Sequence, residues 1–205
     1  MTNNFKLRLT YAKLPQVAYL SHLETMRALL RMLRRSGLPL ALSQGFSPRI
    51  RASFGFALPV GTSGAAEGLD CELTAYRPAA EALAALQRSA TPAFPVSECH
   101  YVDLHAPALT LSHVAFVYQV VFDRPPDKQA LEELLARESL VVHKAKGDRT
   151  LKLAEFIYRP AQLDGEVLTL YLRATEHGLL KPEQLLAELP EAKVKSICRL
   201  GAEPL

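Results

Sequence analysis

Hydrophobic and polar positions alternate strictly at the start of the chain. Within residues 5–11 every second position is apolar and falls on one side of an extended backbone: Phe5, Leu7, Leu9 and Tyr11. This period of two predicts a half-buried strand. The apolar positions then change to helical spacing: Leu23, Met26, Leu30 and Leu33. Ser21 and Glu24 have the spacing of a capping box before this run, and Gly37 is typical of the position just after a helix, so we predict a helix between them.

The rest of the first half continues the succession of short elements. The predicted elements are two extended segments within 40–56 around a turn at Gly45 and Pro48, a turn at Gly61 and Gly64, a strand at 69–76, a helix opened by proline at 78–88 and an extended segment at 94–102. The resulting order, β-α-β-β-α-β, is that of the split βαβ or ferredoxin-like unit.

The second half shows roughly the same order of elements without sequence identity to the first. Its predicted elements are a strand at 111–122, a helix at 125–137, extended segments at 140–143 and 166–173, a helix at 181–190 and a strand at 193–200. Residues 103–108 are the linker candidate. We therefore predict an α+β protein of two tandem ferredoxin-like (β-α-β-β-α-β) half-domains with antiparallel sheets, at residues 1–106 and 107–205.

The composition is that of an ordinary globular protein, with 49% hydrophobic and 22% charged residues in a chain of 205. No apolar run approaches the ~18 residues that cross a bilayer, and the N-terminus lacks the apolar core of a signal peptide. We expect a cytoplasmic protein without a membrane partner. The three cysteines, Cys71, Cys99 and Cys198, lie far apart, which argues against a disulfide framework, a zinc ribbon or an iron–sulfur cluster.

Positive charge is concentrated near the N-terminus. Residues 1–60 contain nine basic residues and one acidic residue, a net charge of +8, whereas the remaining 15 basic and 20 acidic residues give −5. Such asymmetry indicates a polyanionic partner. Seven of the nine basic residues are arginines, whose planar guanidinium groups bind phosphate in a bidentate manner that lysine cannot match.

Three of these arginines share one face of the first predicted helix. Arg27, Arg31 and Arg34 stand at i, i+4 and i+7, with Arg35 beside them. Like charges this close destabilise a helix slightly unless an anion compensates them. The alternative is the solvated face of an amphipathic helix, which a charge stripe usually is.

The loop after the helix carries a second group of candidate ligands. Ser43, Gln44, Arg49 and Arg51 offer polar groups, and Gly45 lets the backbone approach a ligand closely. Arginine together with an aromatic residue such as Phe46 is the usual equipment for single-stranded RNA, although Phe46 as a core residue is an equal alternative. The predicted RNA- or anion-binding residues are Arg8, Arg27, Arg31, Arg34, Ser43, Gln44, Arg49, Arg51, Lys144 and Lys146.

The last two of these residues belong to a third basic segment, at 143–152. Lys144 and Lys146 would extend a binding surface from the second half. The alternative, which we favour for this segment, is a solvated hairpin tip.

His22 is the one catalytic candidate. It begins the predicted helix near Tyr11, and a histidine, a tyrosine and nearby cations can cleave RNA without metal by general acid–base chemistry. The helix N-terminus favours the neutral imidazole. The alternative, which we favour, is that His22 orders the loop through a hydrogen bond. Because the sequence holds no complete catalytic motif, we expect a binding protein with no metal and no cofactor.

Several short motifs over residues 1–75 resemble a known family. In order they are Ser21-His22-Leu23-Glu24, Met26-Arg27, Arg35-Ser36-Gly37-Leu38-Pro39, Ser43-Gln44-Gly45-Phe46-Ser47-Pro48, Leu58-Pro59-Val60-Gly61 and Glu67-Gly68-Leu69-Asp70. They resemble the uncharacterised radical SAM-associated domain. That domain occurs as the C-terminal extension of cobalamin-binding radical SAM proteins, or as a separate short protein encoded beside one. Glu24 and Ser47 stand where aspartate and asparagine are commoner in the family, and either change keeps a capping or turn role.

The resemblance implies a partner rather than a reaction, because this chain has no C-x-x-x-C-x-x-C cluster motif of its own. Our leading hypothesis is an RNA-binding accessory module that presents tRNA or rRNA to a radical SAM RNA-modifying enzyme. Its arginines would hold phosphates, and Ser43 and Gln44 would contact sugar or base edges. Two alternatives stay open: a metal-independent endoribonuclease resembling CRISPR repeat-processing enzymes, and a protein-interaction subunit that binds an acidic patch of the radical SAM partner. The sequence does not predict the oligomeric state.

Overall fold

The computed structural model describes residues 4–110, 114–142, 147–176 and 178–204. It shows an α+β protein that divides into two compact units, Met1–Ser112 and His113–Leu205, each with an antiparallel sheet. The sequence placed the division earlier, between residues 106 and 107. No helix in the described ranges is long and apolar enough to span a bilayer.

The first unit alternates strands and helices. Its elements are β1 (Phe5–Lys13), a short 3-10 helix (Pro15–Val17), α1 (His22–Arg35), β2 (Ala52–Phe54), β3 (Thr62–Leu73), α2 (Ala79–Ser89) and β4 (Val96–Val102). The strands pair in the order β4-β1-β3-β2, and every neighbouring pair is antiparallel.

The predicted strand and helix at the start of the chain are confirmed. The apolar side of β1 is buried in one core with the apolar face of α1 and with α2: Leu7, Leu9, Tyr11, Leu29, Met32, Leu33 and Leu86. The capping box is present, since the Ser21 hydroxyl accepts from the Glu24 amide and the Glu24 carboxylate accepts from the Ser21 amide. Burial of one face of α1 leaves its other face to solvent.

The predicted turn at Gly61 and Gly64 is correct only at its first residue. Gly61 has φ +90° and directly precedes β3, whereas Gly64 lies inside that strand. A Cβ built on Gly64 would lie 2.6 Å from Oε1 of Glu67 and 2.8 Å from Cδ1 of Leu58. The glycine is therefore required by close packing rather than by a turn.

Residues just after β4 return to the sheet of the first unit. Nζ of Lys6 donates to the carbonyl of Ala106 at 2.8 Å, and Nη2 of Arg8 approaches the carbonyl of Pro107 at 3.4 Å. Leu109 packs over Gly68, where an added Cβ would lie 3.0 Å from its Cδ1 atom. The segment that the sequence assigned to a linker, 103–108, is thus attached to β1, and Leu109 just after it packs on β3.

The second unit has a larger set of elements. They are β5 (Val114–Arg124), α3 (Lys128–Leu135), β6 (Ser139–Val142), β7 (Arg149–Lys152), α4 (Leu153–Phe156), β8 (Ile157–Asp164), β9 (Val167–Arg173), α5 (Pro182–Leu186) and β10 (Lys193–Pro204). The main sheet of this unit has the antiparallel order β10-β5-β9-β8. β6 and β7 form a separate two-stranded sheet.

Two features of the second unit differ from the prediction. Residues 140–142 of the extended segment predicted at 140–143 pair with β7 instead of joining the main sheet, and His143 lies outside the described residues. Along the chain, the strand of the main sheet that follows β5 is β8, and the sequence pattern did not predict it. Pro160 lies within β8, and the pairing register shifts between Arg159 and Gln162, so the regular alternation of a strand is broken there.

Candidate nucleic-acid interface

The arginine stripe of α1 lies on the solvent side of the helix. Leu29 and Leu33 of α1 are buried in the core. Arg31 lies on the opposite side of the helix, so its side chain points away from the core. Arg27, Arg31, Arg34 and Arg35 are all exposed. Arg35 donates to the carbonyl of Ser89 on α2, which separates it from the other three.

A groove of about 650 Å³ gathers the other three arginines with Arg49 from the following loop. Its remaining lining is entirely apolar: Leu23, Met26, Leu30, Ile50, Ala52 and Phe54. The charges of the helix and of the following loop therefore converge on one groove. The site has an apolar floor and a cationic rim.

The loop that supplies Arg49 is closed at its base. The Ser43 amide donates to the Arg49 carbonyl at 2.8 Å, and the Arg49 amide donates to the Ser43 hydroxyl at 3.0 Å. Gly45, with φ +120°, supplies a backbone conformation at the tip that other residues rarely adopt. Next to it, Phe46 is fully exposed, so it is not a core residue. Neither Ser43 nor the exposed Gln44 lines the groove.

The four groove arginines make no ion pair with a carboxylate of the described residues. The nearest acid along the helix is Glu24. Its pKa is lowered mainly by hydrogen bonds from the Ser21 side chain and amide, with a smaller contribution from the charge of Arg27. Glu24 thus acts mainly in the helix cap and forms no ion pair with the groove arginines.

Two other predicted arginines are engaged by carboxylates of the chain itself. Arg8 forms a bidentate ion pair with Asp70, and Nη1 of Arg51 lies 3.3 Å from Oε2 of Glu72. Their positive charge is compensated locally, which the sequence pattern did not reveal, and we leave both out of the proposed site. The predicted Lys144 and Lys146 lie outside the described residues.

His22 lines a small cavity at the N-terminal end of α1. The cavity also contains the predicted neighbour Tyr11 together with Lys13, Thr25 and Glu67. Nζ of Lys13 donates to the carbonyls of Ala18 and Leu20 at 2.8 and 2.9 Å. This cluster is almost completely buried except at His22. The sequence analysis did not identify Lys13 and Glu67 as members of a site. For Lys13 a signal was available, because this charged residue continues the inward-facing positions of β1.

His22 also connects this cavity with the arginine groove. Its ring meets Phe54 edge to face at a centroid distance of 6.2 Å, and Phe54 belongs to the groove floor. Within the described part of the chain, no three histidine, cysteine, aspartate or glutamate side chains form a group that could hold a metal ion.

One family model matches residues 6–182 of the chain. The chain belongs to the family described as "uncharacterized protein conserved in bacteria (DUF2344)". This family's description states no activity. No curated protein matches the sequence.

Proposed function

We propose that this member of the family is an RNA-binding accessory module that holds phosphates with Arg27, Arg31, Arg34 and Arg49. One observation carries the proposal: four arginines surround one groove, and none of them pairs with a carboxylate in the described part of the chain. Gathering like charges costs free energy that an anionic partner recovers. Arginine forks bind phosphate oxygens in pairs, which suits the backbone of a nucleic acid, and tRNA or rRNA is the partner that we propose.

Binding measured across a range of salt concentrations tests this proposal. Each neutralised phosphate contributes about 0.7–0.9 to the log–log slope of affinity against salt. We expect the double variant Arg31→Glu/Arg49→Glu to lose most of its affinity for structured and single-stranded RNA. We also expect the residual binding of this variant to depend less steeply on salt than binding by the native chain.

The matched control is the double variant Arg77→Glu/Arg88→Glu. It makes the same charge change in the same unit at two exposed arginines outside the groove. We expect it to retain most of the affinity. Equal losses in the two double variants would mean that net charge, rather than the groove, governs RNA binding.

The motifs around Ser21, Gly37 and Pro48 support a second element of the proposal, namely a radical SAM RNA-modifying enzyme as the protein partner. On this proposal the module works in the cytoplasm and delivers RNA to that enzyme. Co-purification of the two proteins, with and without ribonuclease treatment, is the test. A complex that survives high salt without RNA would instead support a direct protein-interaction subunit.

The cavity around His22 favours one other candidate function, metal-independent RNA cleavage. It places an imidazole near Tyr11 and Glu67, groups that can exchange protons, at the end of the arginine groove. Incubating the protein with RNA in the presence of a chelator tests this candidate. Cleavage that disappears in His22→Ala would support it, and RNA that stays intact with the native chain would exclude it.

The strand orders support a finer description of the fold. We propose that both units are ferredoxin-like. In the first unit the order β4-β1-β3-β2, with α1 and α2 as the two crossovers, supports this assignment. In the second unit the order β10-β5-β9-β8 is equivalent if β6, β7 and α4 are an insertion before β8. An experimental structure of each unit would test the assignment.

A further inference from the structure

The arginine groove is not a purely electrostatic surface. Apart from its four arginines, every residue that lines it is apolar. Leu23 is about half exposed, at 53%, and Met26, Leu30 and Phe54 are only partly buried. An apolar floor beneath a cationic rim is matched by a ligand that carries an apolar face and negative charge together.

We infer that the groove takes the base of an unpaired nucleotide, with the adjoining phosphates held by the arginines of its rim. This inference rests on the proposed RNA-binding function and names the class of RNA. A nucleobase has two apolar faces, and in a single strand it can leave the stack and lie on hydrophobic or aromatic side chains. Its phosphates then remain outside the apolar floor, where Arg27, Arg31 and Arg49 lie.

A duplex matches the same groove poorly. Its bases are stacked and paired inside the helix, so without base flipping a protein reaches its phosphates, sugars and base edges but not the apolar faces of its bases. It would contact the arginine rim and leave the apolar floor without a partner. The groove therefore favours single-stranded loops or ends over paired stems.

Phe46 adds an independent reason to choose a nucleic acid over an acidic protein segment. Its ring is fully exposed at the tip of the loop that carries Arg49, and the loop base is fixed by two hydrogen bonds between Ser43 and Arg49. An open aromatic ring on a loop that also carries arginine supplies both the stacking surface and the charge that single-strand-binding proteins use. A second base would stack on Phe46 while its neighbour occupies the groove.

Affinity measurements with the full chain and four probes test the inference. The probes are a single-stranded RNA of about ten nucleotides, within the usual site size, the same strand annealed to its complement, an abasic strand of equal length, and a glutamate-rich peptide. We expect the single strand to bind at least about five-fold more tightly than the abasic strand, the lower limit for one stacked base. The duplex and the peptide should bind more weakly than the single strand.

Two exposed residues give the decisive variants, because neither contributes much to the core. Leu23→Ala and Phe46→Ala should each weaken binding of the single strand and leave binding of the abasic strand unchanged. Val60→Ala, at an exposed apolar residue outside the groove, is the matched control and should change neither. A variant that failed to fold would lose binding of the abasic strand as well.

The outcomes separate the two proposals. If the abasic strand or the duplex binds as tightly as the single strand, phosphate binding stands and base binding is overturned. If the glutamate-rich peptide displaces the RNA at equal concentration, the groove recognises acidic chains in general, and the inference is also overturned. If no RNA binds, the proposed function fails and this inference fails with it.

Discussion

The guanidinium of Arg8 donates from Nε and Nη2 to the two carboxylate oxygens of Asp70, at 2.7 and 2.9 Å. The two residues are direct cross-strand partners in the β1–β3 register. The Asp70 side chain is 2% exposed and that of Arg8 is 25% exposed, so the pair is largely shielded from water. The hydrogen bond to Asp70 is the main reason why the pKa of Arg8 is raised.

Replacing Asp70 should destabilise the first unit. Asp70→Asn keeps the shape of the side chain and removes the charge that Arg8 and Lys6 share. We expect the free energy of unfolding to fall by about 1.5–3 kcal/mol, the usual contribution of a hydrogen bond to a charged group. Urea denaturation measures this. The control is Glu72→Gln, because Arg51, the partner of Glu72, is half exposed. This variant should lower the free energy of unfolding by less than about 1 kcal/mol. Equal losses in the two variants would contradict the argument from burial.

The capping box should make stability depend on pH in the acidic range. Because the pKa of Glu24 is lowered in the folded protein, its contribution is complete above the ordinary value of 4.5 and is lost as the pH falls through the lower folded value. Glu24→Gln should therefore melt at a lower temperature than the native chain at pH 7, and the gap should narrow below pH 4.5. The control is Glu81→Gln, which removes an acid from the first turn of α2, a helix without a side-chain cap. Its melting temperature should not show this dependence on pH. A gap that stays constant with pH would contradict this role.

Cys71 should be unreactive in the folded protein. It is 1% exposed, and burial is the main cause that raises its pKa to about 12, so the nucleophilic thiolate is absent near neutral pH. We expect alkylation at pH 8, followed by mass spectrometry, to label the partly buried Cys198 before Cys71. Labelling of Cys71 should follow the unfolding curve in urea. Rapid labelling in native buffer would show that the core around β3 opens locally.

Gly64 should tolerate no side chain. In Gly64→Ala the new methyl group would meet Glu67 and Leu58 at less than 3.0 Å, and both must move. We expect a loss of about 1–3 kcal/mol in the free energy of unfolding, as for other overpacked sites. The control is Gly201→Ala, another strand glycine, where nothing lies within 4 Å of the added atom. Its melting temperature should hardly change.

Local patterns predicted the parts of the site that depend on local structure. The period of two defined β1, and the capping box and helical spacing defined α1 and therefore the common face of Arg27, Arg31 and Arg34. The pairing of Arg8 with Asp70 could not be predicted in this way, since it depends on a strand register that joins residues 62 positions apart. A hydrophobic period defines the side of a strand on which a residue lies, but not the residue opposite it.

The second unit shows a different reason for failure. Pro160 and the register shifts of β8 remove the alternation by which a strand is recognised, so the prediction assigned its place to residues 140–143. In the first unit, the exposure of Phe46 could not be predicted from the sequence either. An aromatic residue after glycine is compatible with both a core and a loop tip, and only the tertiary fold distinguishes them.

The return of residues 106–109 to the sheet determines where the first unit can be cut. A recombinant fragment that ends at residue 106 would lack the Pro107 carbonyl that Arg8 approaches and the Leu109 side chain that covers Gly68. The backbone at Gly68 would then face water without the apolar cover of Leu109, and we expect such a fragment to be less stable. A fragment that ends at residue 112 keeps this cover, and it is the better starting point for isolating the arginine groove on a minimal protein.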